Sequence, residues 1–144
     1  MGILRWFTYT MNMSDFKYFN YSEFDSPDEP GSGKKYMSKE FIEMLSEARE
    51  CAGIPFFILS GYRTRKHNAT LKNSVKNSTH CLGIAADIRC RTSDERWNMI
   101  DSLLFAGTGV TLYQRSALTI NDRYGVATCI RVAADKWSIS GDLD

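Results

Sequence analysis

His80 and Asp87 are the residues whose types and spacing best suit chemistry. The small residues Gly83, Ala85 and Ala86 lie between them in a short apolar run. An imidazole and a carboxylate are both zinc ligands, and small neighbours leave room for a metal ion. The pattern therefore predicts a zinc site, although a loop histidine followed by an exposed aspartate at a strand end would give the same pattern.

A second polar motif lies upstream, where Ser60–Asn68 reads S-G-Y-R-T-R-K-H-N. It is followed by S-x-H-x-x-G-x-A-x-D, which begins at Ser78. Together these motifs resemble the M15 family of zinc D-Ala-D-Ala carboxypeptidases and peptidoglycan endopeptidases. The resemblance extends from about Phe24 to Gly107. Residues 24–33 are also similar to short M15-type proteins encoded by small single-stranded DNA phages.

The resemblance implies one zinc ion bound by His80 and Asp87. In the family a third ligand, a histidine on a late strand, completes the set, but the only histidines in this sequence are His67 and His80. An ungapped placement of the late strand puts Thr119 at the third position, and a gapped placement puts Arg131 there. Neither is a zinc ligand. The third ligand and the general base are therefore not identified.

Three explanations of the missing ligand remain open. The first is a retained fold with impaired or absent hydrolysis. The second is an altered metal site completed by Cys81, Cys129, Asp122, His67 or a partner chain, since thiolate, carboxylate and imidazole groups all bind zinc. The third is that the sequence after Gly107 has diverged or been altered relative to its relatives.

The resemblance also implies roles for three other polar residues. Arg63 would be a catalytic residue in the substrate cleft, where its guanidinium could hold a peptide carboxylate or the developing oxyanion. His67 and Ser78 would be substrate-binding residues lining the same cleft. For Arg63, the structural alternative is an arginine that ties down its own loop.

These residues predict a zinc-dependent peptidase that hydrolyses a peptide bond in the peptide stem of peptidoglycan, with an activity that the missing histidine would impair. The alternative is a non-catalytic M15-fold module that binds a partner or is associated with a virion. Peptidoglycan stem peptide is thus the expected partner.

The elements that must position the site follow from local patterns. Ser38 predicts the start of a helix over Lys39–Ala52, and Gly53 predicts its end. Short apolar runs predict buried strands at Pro55–Ser60 and Ile84–Ile88.

A short helix is predicted over Thr64–Lys72, and Ser93 is predicted to cap a further helix that ends at Gly107. The expected buried stripe of this later helix consists of Trp97, Ile100, Leu103 and Leu104. Further strands are predicted at Val110–Gln114, Ala117–Ile120 and Tyr124–Ala134, with a turn at Asn121-Asp122.

This pattern predicts an α+β domain with a small central, largely antiparallel sheet and helices packed on one face. The resemblance implies the same M15/hedgehog-like arrangement. The 144 residues are expected to form a single domain, in which residues 1–13 are an extended or disordered N-terminal segment.

Composition limits the partners and the location. With 18 basic and 17 acidic residues the net charge is +1, so neither nucleic acid nor a membrane surface is an expected partner. The N-terminal stretch lacks a signal-peptide core, which predicts a protein that is cytoplasmic when made and acts on the cell wall if phage-encoded. The four cysteines are expected to be free thiols.

Overall fold

A computed structural model describes residues 14–72, 74–106, 110–112 and 129–134. The predicted N-terminal segment and the predicted strand and turn over 117–122 lie outside these ranges. The described helices are α1 (Ser32–Tyr36), α2 (Lys39–Ala52), α3 (Arg65–Thr70) and α4 (Ser93–Ala106), with 3₁₀ turns at Tyr21–Phe24 and Thr79–Leu82. The described strands are β1 (Ile58–Ser60), β2 (Ala85–Arg89), β3 (Val110–Leu112) and β4 (Cys129–Ala134).

The four strands form one sheet in the order β1-β2-β4-β3, and every neighbouring pair is antiparallel. The predicted α+β class with a small antiparallel sheet is therefore confirmed. Strand β2 lies inside the sheet, hydrogen-bonded to β1 on one side and to β4 on the other.

The two faces of the sheet differ in character. Ile88 of β2 and Val132 of β4 belong to the hydrophobic core. Because successive side chains of a strand point to opposite faces, Asp87 and Arg131 lie on the other face. The charged residues of the central strands thus share one face, away from the main core.

Helix α2 has the predicted bounds. The Ser38 hydroxyl accepts a hydrogen bond from the Phe41 amide at 3.2 Å, and Gly53 ends the helix in the left-handed conformation at φ 66°. Leu45 is fully buried in the core. The Asn98 side chain of α4 donates a hydrogen bond to the Ala52 carbonyl at 2.9 Å, which ties α4 to the end of α2.

The buried stripe of α4 differs from the prediction. Met99 and Leu103 are buried, whereas Trp97 is 73% exposed and Leu104 is 60% exposed. Trp97 and Leu104 are seven positions apart and therefore form a second apolar stripe on a different side of the helix. Of the four predicted residues, Leu103 is buried and Ile100 is partly buried against the core, so the inward side of the helix is centred on Met99 and Leu103.

The start of α4 and the length of the first strand also differ from the prediction. The cap of α4 is Thr92, whose hydroxyl accepts a hydrogen bond from the Glu95 amide at 3.1 Å, and Ser93 is already the first helical residue. Strand β1 is shorter than predicted and lies at the sheet edge, so Phe57 is 50% and Leu59 is 56% exposed.

Cys51, Cys81 and Cys90 are free thiols. No helix in the described ranges is both long enough and apolar enough to cross a membrane.

Candidate active site

The register of the sheet places three polar side chains in one row. Asp87 of β2 is directly opposite Ser60 of β1 on one side and Arg131 of β4 on the other. Directly opposite residues of antiparallel strands point to the same face. Asp87 and Arg131 therefore share the face that lies away from the core. Ser60, which follows an irregularity in the β1–β2 register, joins them because its hydroxyl accepts a hydrogen bond from Arg63 Nε.

Asp87 is held by two guanidinium groups. Arg131 donates from Nε to Oδ1 at 2.7 Å and from Nη2 to Oδ2 at 3.1 Å, which is a two-point contact. Arg63 donates from Nη2 to Oδ2 at 3.0 Å. The Asp87 residue is only 5% exposed, so these are hydrogen-bonded ion pairs in a buried setting.

These charges decide the ionisation of Asp87. Burial by itself would raise the pKa of the Asp87 carboxyl, because a charged group loses hydration. The neighbouring His80 and Arg131 outweigh burial and hold this pKa well below its ordinary value. The group is therefore a carboxylate at neutral pH.

His80 is delivered by the 3₁₀ turn Thr79–Leu82. The Ser78 hydroxyl accepts a hydrogen bond from the His80 amide at 3.3 Å and so starts the turn. Gly83 ends it in the left-handed conformation at φ 73°, and a Cβ there would collide with the Tyr36 carbonyl oxygen. This tight turn places the His80 side chain in the interior, fully buried.

The ring of His80 has one bonded and one unbonded nitrogen. Nδ1 lies 2.7 Å from the Gly61 carbonyl oxygen, so Nδ1 carries the proton and donates it. Nε2 lies 3.5 Å from Asp87 Oδ1 and is buried without a hydrogen-bond partner among the described residues. The two residues predicted as zinc ligands thus approach each other, as a shared site requires.

The S-G-Y-R turn is hydrogen-bonded both to Phe24, at the end of the first 3₁₀ turn, and to His80. Gly61 packs so closely that a Cβ there would lie 2.6 Å from Phe24 Cα. The Tyr62 amide donates to the Phe24 carbonyl at 2.9 Å, and the Arg63 amide donates to the His80 carbonyl at 3.1 Å. Glycine is therefore required at 61, and the Arg63 side chain is aimed by backbone bonds.

The remaining predicted site residues lie at different distances from this cluster. Ser78 is buried next to His80 as its cap. His67 is in the first turn of α3, where its amide is capped by the Thr64 hydroxyl, and its ring interacts electrostatically with Asp28. His67 is not among the groups that contact the Asp87 carboxylate.

A catalytic zinc ion requires three protein ligands whose donor atoms are available to it. His80 fits, since a histidine that donates from Nδ1 to a carbonyl presents Nε2 to a metal. Asp87 does not fit, because guanidinium groups occupy both of its oxygens. In the described ranges no cluster of three histidine, cysteine, aspartate or glutamate side chains could complete a metal site. As they stand, these residues do not fit zinc.

Two site residues would have been hard to find from the sequence. Arg131 appears in the gapped placement of the late strand, but only the register of β4 against β2 shows that its side chain reaches Asp87. Ser60, whose hydroxyl accepts a hydrogen bond from Arg63 Nε at 3.0 Å, gives no sequence signal beyond its place in the S-G-Y-R motif. Thr119, the other placement, and Asp122 lie outside the described residues.

An α+β domain that brings a histidine and an S-G-Y-R arginine beside an aspartate of its central strand has the arrangement of a peptidase-like domain. A family model described as Peptidase M15 matches residues 17–118, well over half of the chain. The chain therefore belongs to the peptidase M15 family, whose members are generally zinc-dependent. Comparisons with curated proteins and with solved structures give no match. The matched range ends before β4, the strand that carries Arg131.

Proposed function

We propose that this chain is a peptidoglycan-directed M15 domain that recognises the peptide stem, and that its zinc-dependent hydrolysis of that stem is impaired. The observation that carries the proposal is the occupation of Asp87 by Arg63 and Arg131. A zinc ion at this carboxylate would have to displace both guanidinium groups. Among the described residues it would also lack the third protein ligand that catalytic zinc sites use.

Recognition of the stem peptide is supported by family membership and by the preserved S-G-Y-R turn. His67 and Asp28 lie beside this turn, and Asp28 accepts a hydrogen bond from the Thr64 hydroxyl at 2.7 Å. These groups can hydrogen-bond a peptide outside the buried cluster. A phage-encoded chain of this family, which the resemblance of residues 24–33 implies, would act at the cell wall.

A second candidate is a working zinc peptidase whose third ligand comes from outside the described residues. One observation favours it, namely the buried Nε2 of His80, which has no hydrogen-bond partner in the part of the chain that the structure describes. Such an enzyme would also need both guanidinium groups to leave Asp87, at the cost of two buried ion pairs.

The proposal is tested by separating binding from cleavage. Isothermal titration calorimetry would measure binding of a synthetic stem peptide ending in D-Ala-D-Ala. Chromatography with mass spectrometry would follow cleavage of muropeptides with added zinc. We expect binding of the peptide and cleavage no faster than in a control without protein.

Two variants locate the binding. His67→Ala should weaken peptide binding by about tenfold, the effect of losing one hydrogen bond to a polar group. Lys66→Ala, an exposed neighbour on α3, should change it little. Absence of binding would overturn the recognition of the stem, whereas zinc-dependent turnover would overturn the impairment and favour the second candidate.

A further inference from the structure

Arg131 lies in the middle of β4, directly opposite Asp87, and its side chain is 29% exposed. Its guanidinium turns along the sheet surface and contacts both oxygens of the carboxylate. The position is the one where the resemblance to M15 enzymes, with one gap, places the third metal ligand. We propose that the Arg131 guanidinium replaces the metal ion as the cation of this site, so that the site assembles without a metal.

The geometry supports this replacement. Residue 131 stands where the resemblance places the third ligand, and its guanidinium occupies the place of the metal ion beside Asp87. In antiparallel pairs, side chains directly opposite each other are close neighbours on one face of the sheet. A shorter side chain at position 131 would therefore point toward the same space above Asp87. Arginine fills this space with a planar cation that matches the two carboxylate oxygens.

The electrostatics give the replacement its physical reason. Asp87 and His80 are both buried, and a buried carboxylate without a counterion is strongly disfavoured. In a metal site the ion provides that positive charge. Here two arginines provide the positive charge. Among the described contacts, Arg63 contributes one hydrogen bond to the carboxylate. Arg131 adds the two-point contact that completes the neutralisation.

Arg63 and Arg131 have different relations to the family pattern. Arg63 belongs to the S-G-Y-R motif, which the resemblance associates with zinc-containing sites. Arg131 departs from the pattern, because the resemblance implies a histidine there. The change from a metal-binding to a metal-free site is therefore assigned to position 131.

The inference deepens the proposed impairment, and its test uses no peptide. The wild-type chain, Arg131→His and Arg131→Gln would be titrated with zinc in a calorimeter, and their melting temperatures compared in zinc and in EDTA. Arg131→Gln is the matched control because it removes the charge without adding a ligand. A failure of stem-peptide recognition would leave all of these results unchanged.

We expect the wild type to bind no stoichiometric zinc and to melt at the same temperature in zinc and in EDTA. Arg131→His should bind one equivalent through His80, Asp87 and the new imidazole. Its melting temperature should rise by about 5–10 °C at a zinc concentration about 100-fold above the dissociation constant. Arg131→Gln should melt lower than the wild type and respond little to zinc.

Further measurements identify the ligands. Cobalt bound to Arg131→His should give visible absorption bands, and adding His80→Ala should abolish them. Stoichiometric zinc binding by the wild type would overturn the proposal even if no variant folds. Equal zinc affinity of Arg131→Gln and Arg131→His would also overturn it, because position 131 would then not be a ligand position.

Discussion

The Asp87 carboxylate is contacted by two arginines that come from the two sides of strand β2. Arg63 lies in the turn after β1, and Arg131 lies on β4. Removing one partner of a buried ion pair lowers the stability by more than the intact pair adds to it. The charge left behind is then buried without a counterion and without water. The cluster is therefore sensitive to single changes within it. This sensitivity is a property of the residues and needs no ligand.

Asp87→Asn should lower the free energy of unfolding by about 3–5 kcal/mol, since two guanidinium groups would lose their carboxylate in a buried site. Urea denaturation followed by far-ultraviolet circular dichroism would measure the change. Asp101→Asn, at an exposed position on α4, is the matched control and should change stability by less than about 0.5 kcal/mol. Similar losses for both variants would contradict a buried ion cluster.

For individual residues, the sequence predicted that His80 and Asp87 approach each other, but not that arginine side chains bind the Asp87 carboxylate. His80, Asp87 and Arg63 were identified because their motifs are local and in the family's order. The pairing of Asp87 with Arg131 joins residues 44 positions apart and depends on the register of two strands. No local pattern specifies such a register, and the match to the family ends at residue 118, before β4 begins.

Helices α2 and α4 show what local signals can and cannot predict. The bounds of α2 follow from a serine cap and a terminal glycine, both of which act within a few residues. In α4 two apolar stripes compete, and the choice between them depends on which one packs inward in the folded protein. Composition alone could not decide this, because both stripes contain large apolar residues.

Leu103→Ala should therefore cost about 2–5 kcal/mol of stability, because its side chain is fully buried and truncation leaves a cavity. Leu104→Ala makes the same chemical change at the next residue. It should cost less than about 1 kcal/mol, since Leu104 is mostly exposed. Chemical denaturation of the two variants under identical conditions would measure the difference. Equal losses for the two variants would instead support the stripe predicted from the sequence, which contained both residues.

For the molecule as a whole, the class of fold was predictable, but the order of the strands was not. Helices and strands grouped in this way, with a run of predicted strands at the end, indicate an α+β domain. The order β1-β2-β4-β3 brings together strands that are distant in sequence, and such contacts leave no local signature. The site depends on this order, because Asp87 needs partners on both sides.

We expect the 144 residues to unfold as one cooperative unit, since α2, α4, β2 and β4 contribute to one hydrophobic core. Far-ultraviolet circular dichroism would follow secondary structure, and near-ultraviolet circular dichroism would follow aromatic packing. Both signals should give the same denaturation midpoint. Two separate midpoints would indicate an additional independently folding part.

Strand β1 is three residues long, lies at the sheet edge and pairs with β2 through an irregular register. Short edge strands are among the first parts of a protein to open by local fluctuation. Ser60 at its end hydrogen-bonds Arg63, which in turn binds Asp87. Opening of this edge would therefore weaken the contact of Arg63 with Asp87. Transient fraying of β1 and the entry of water to the carboxylate should then occur together.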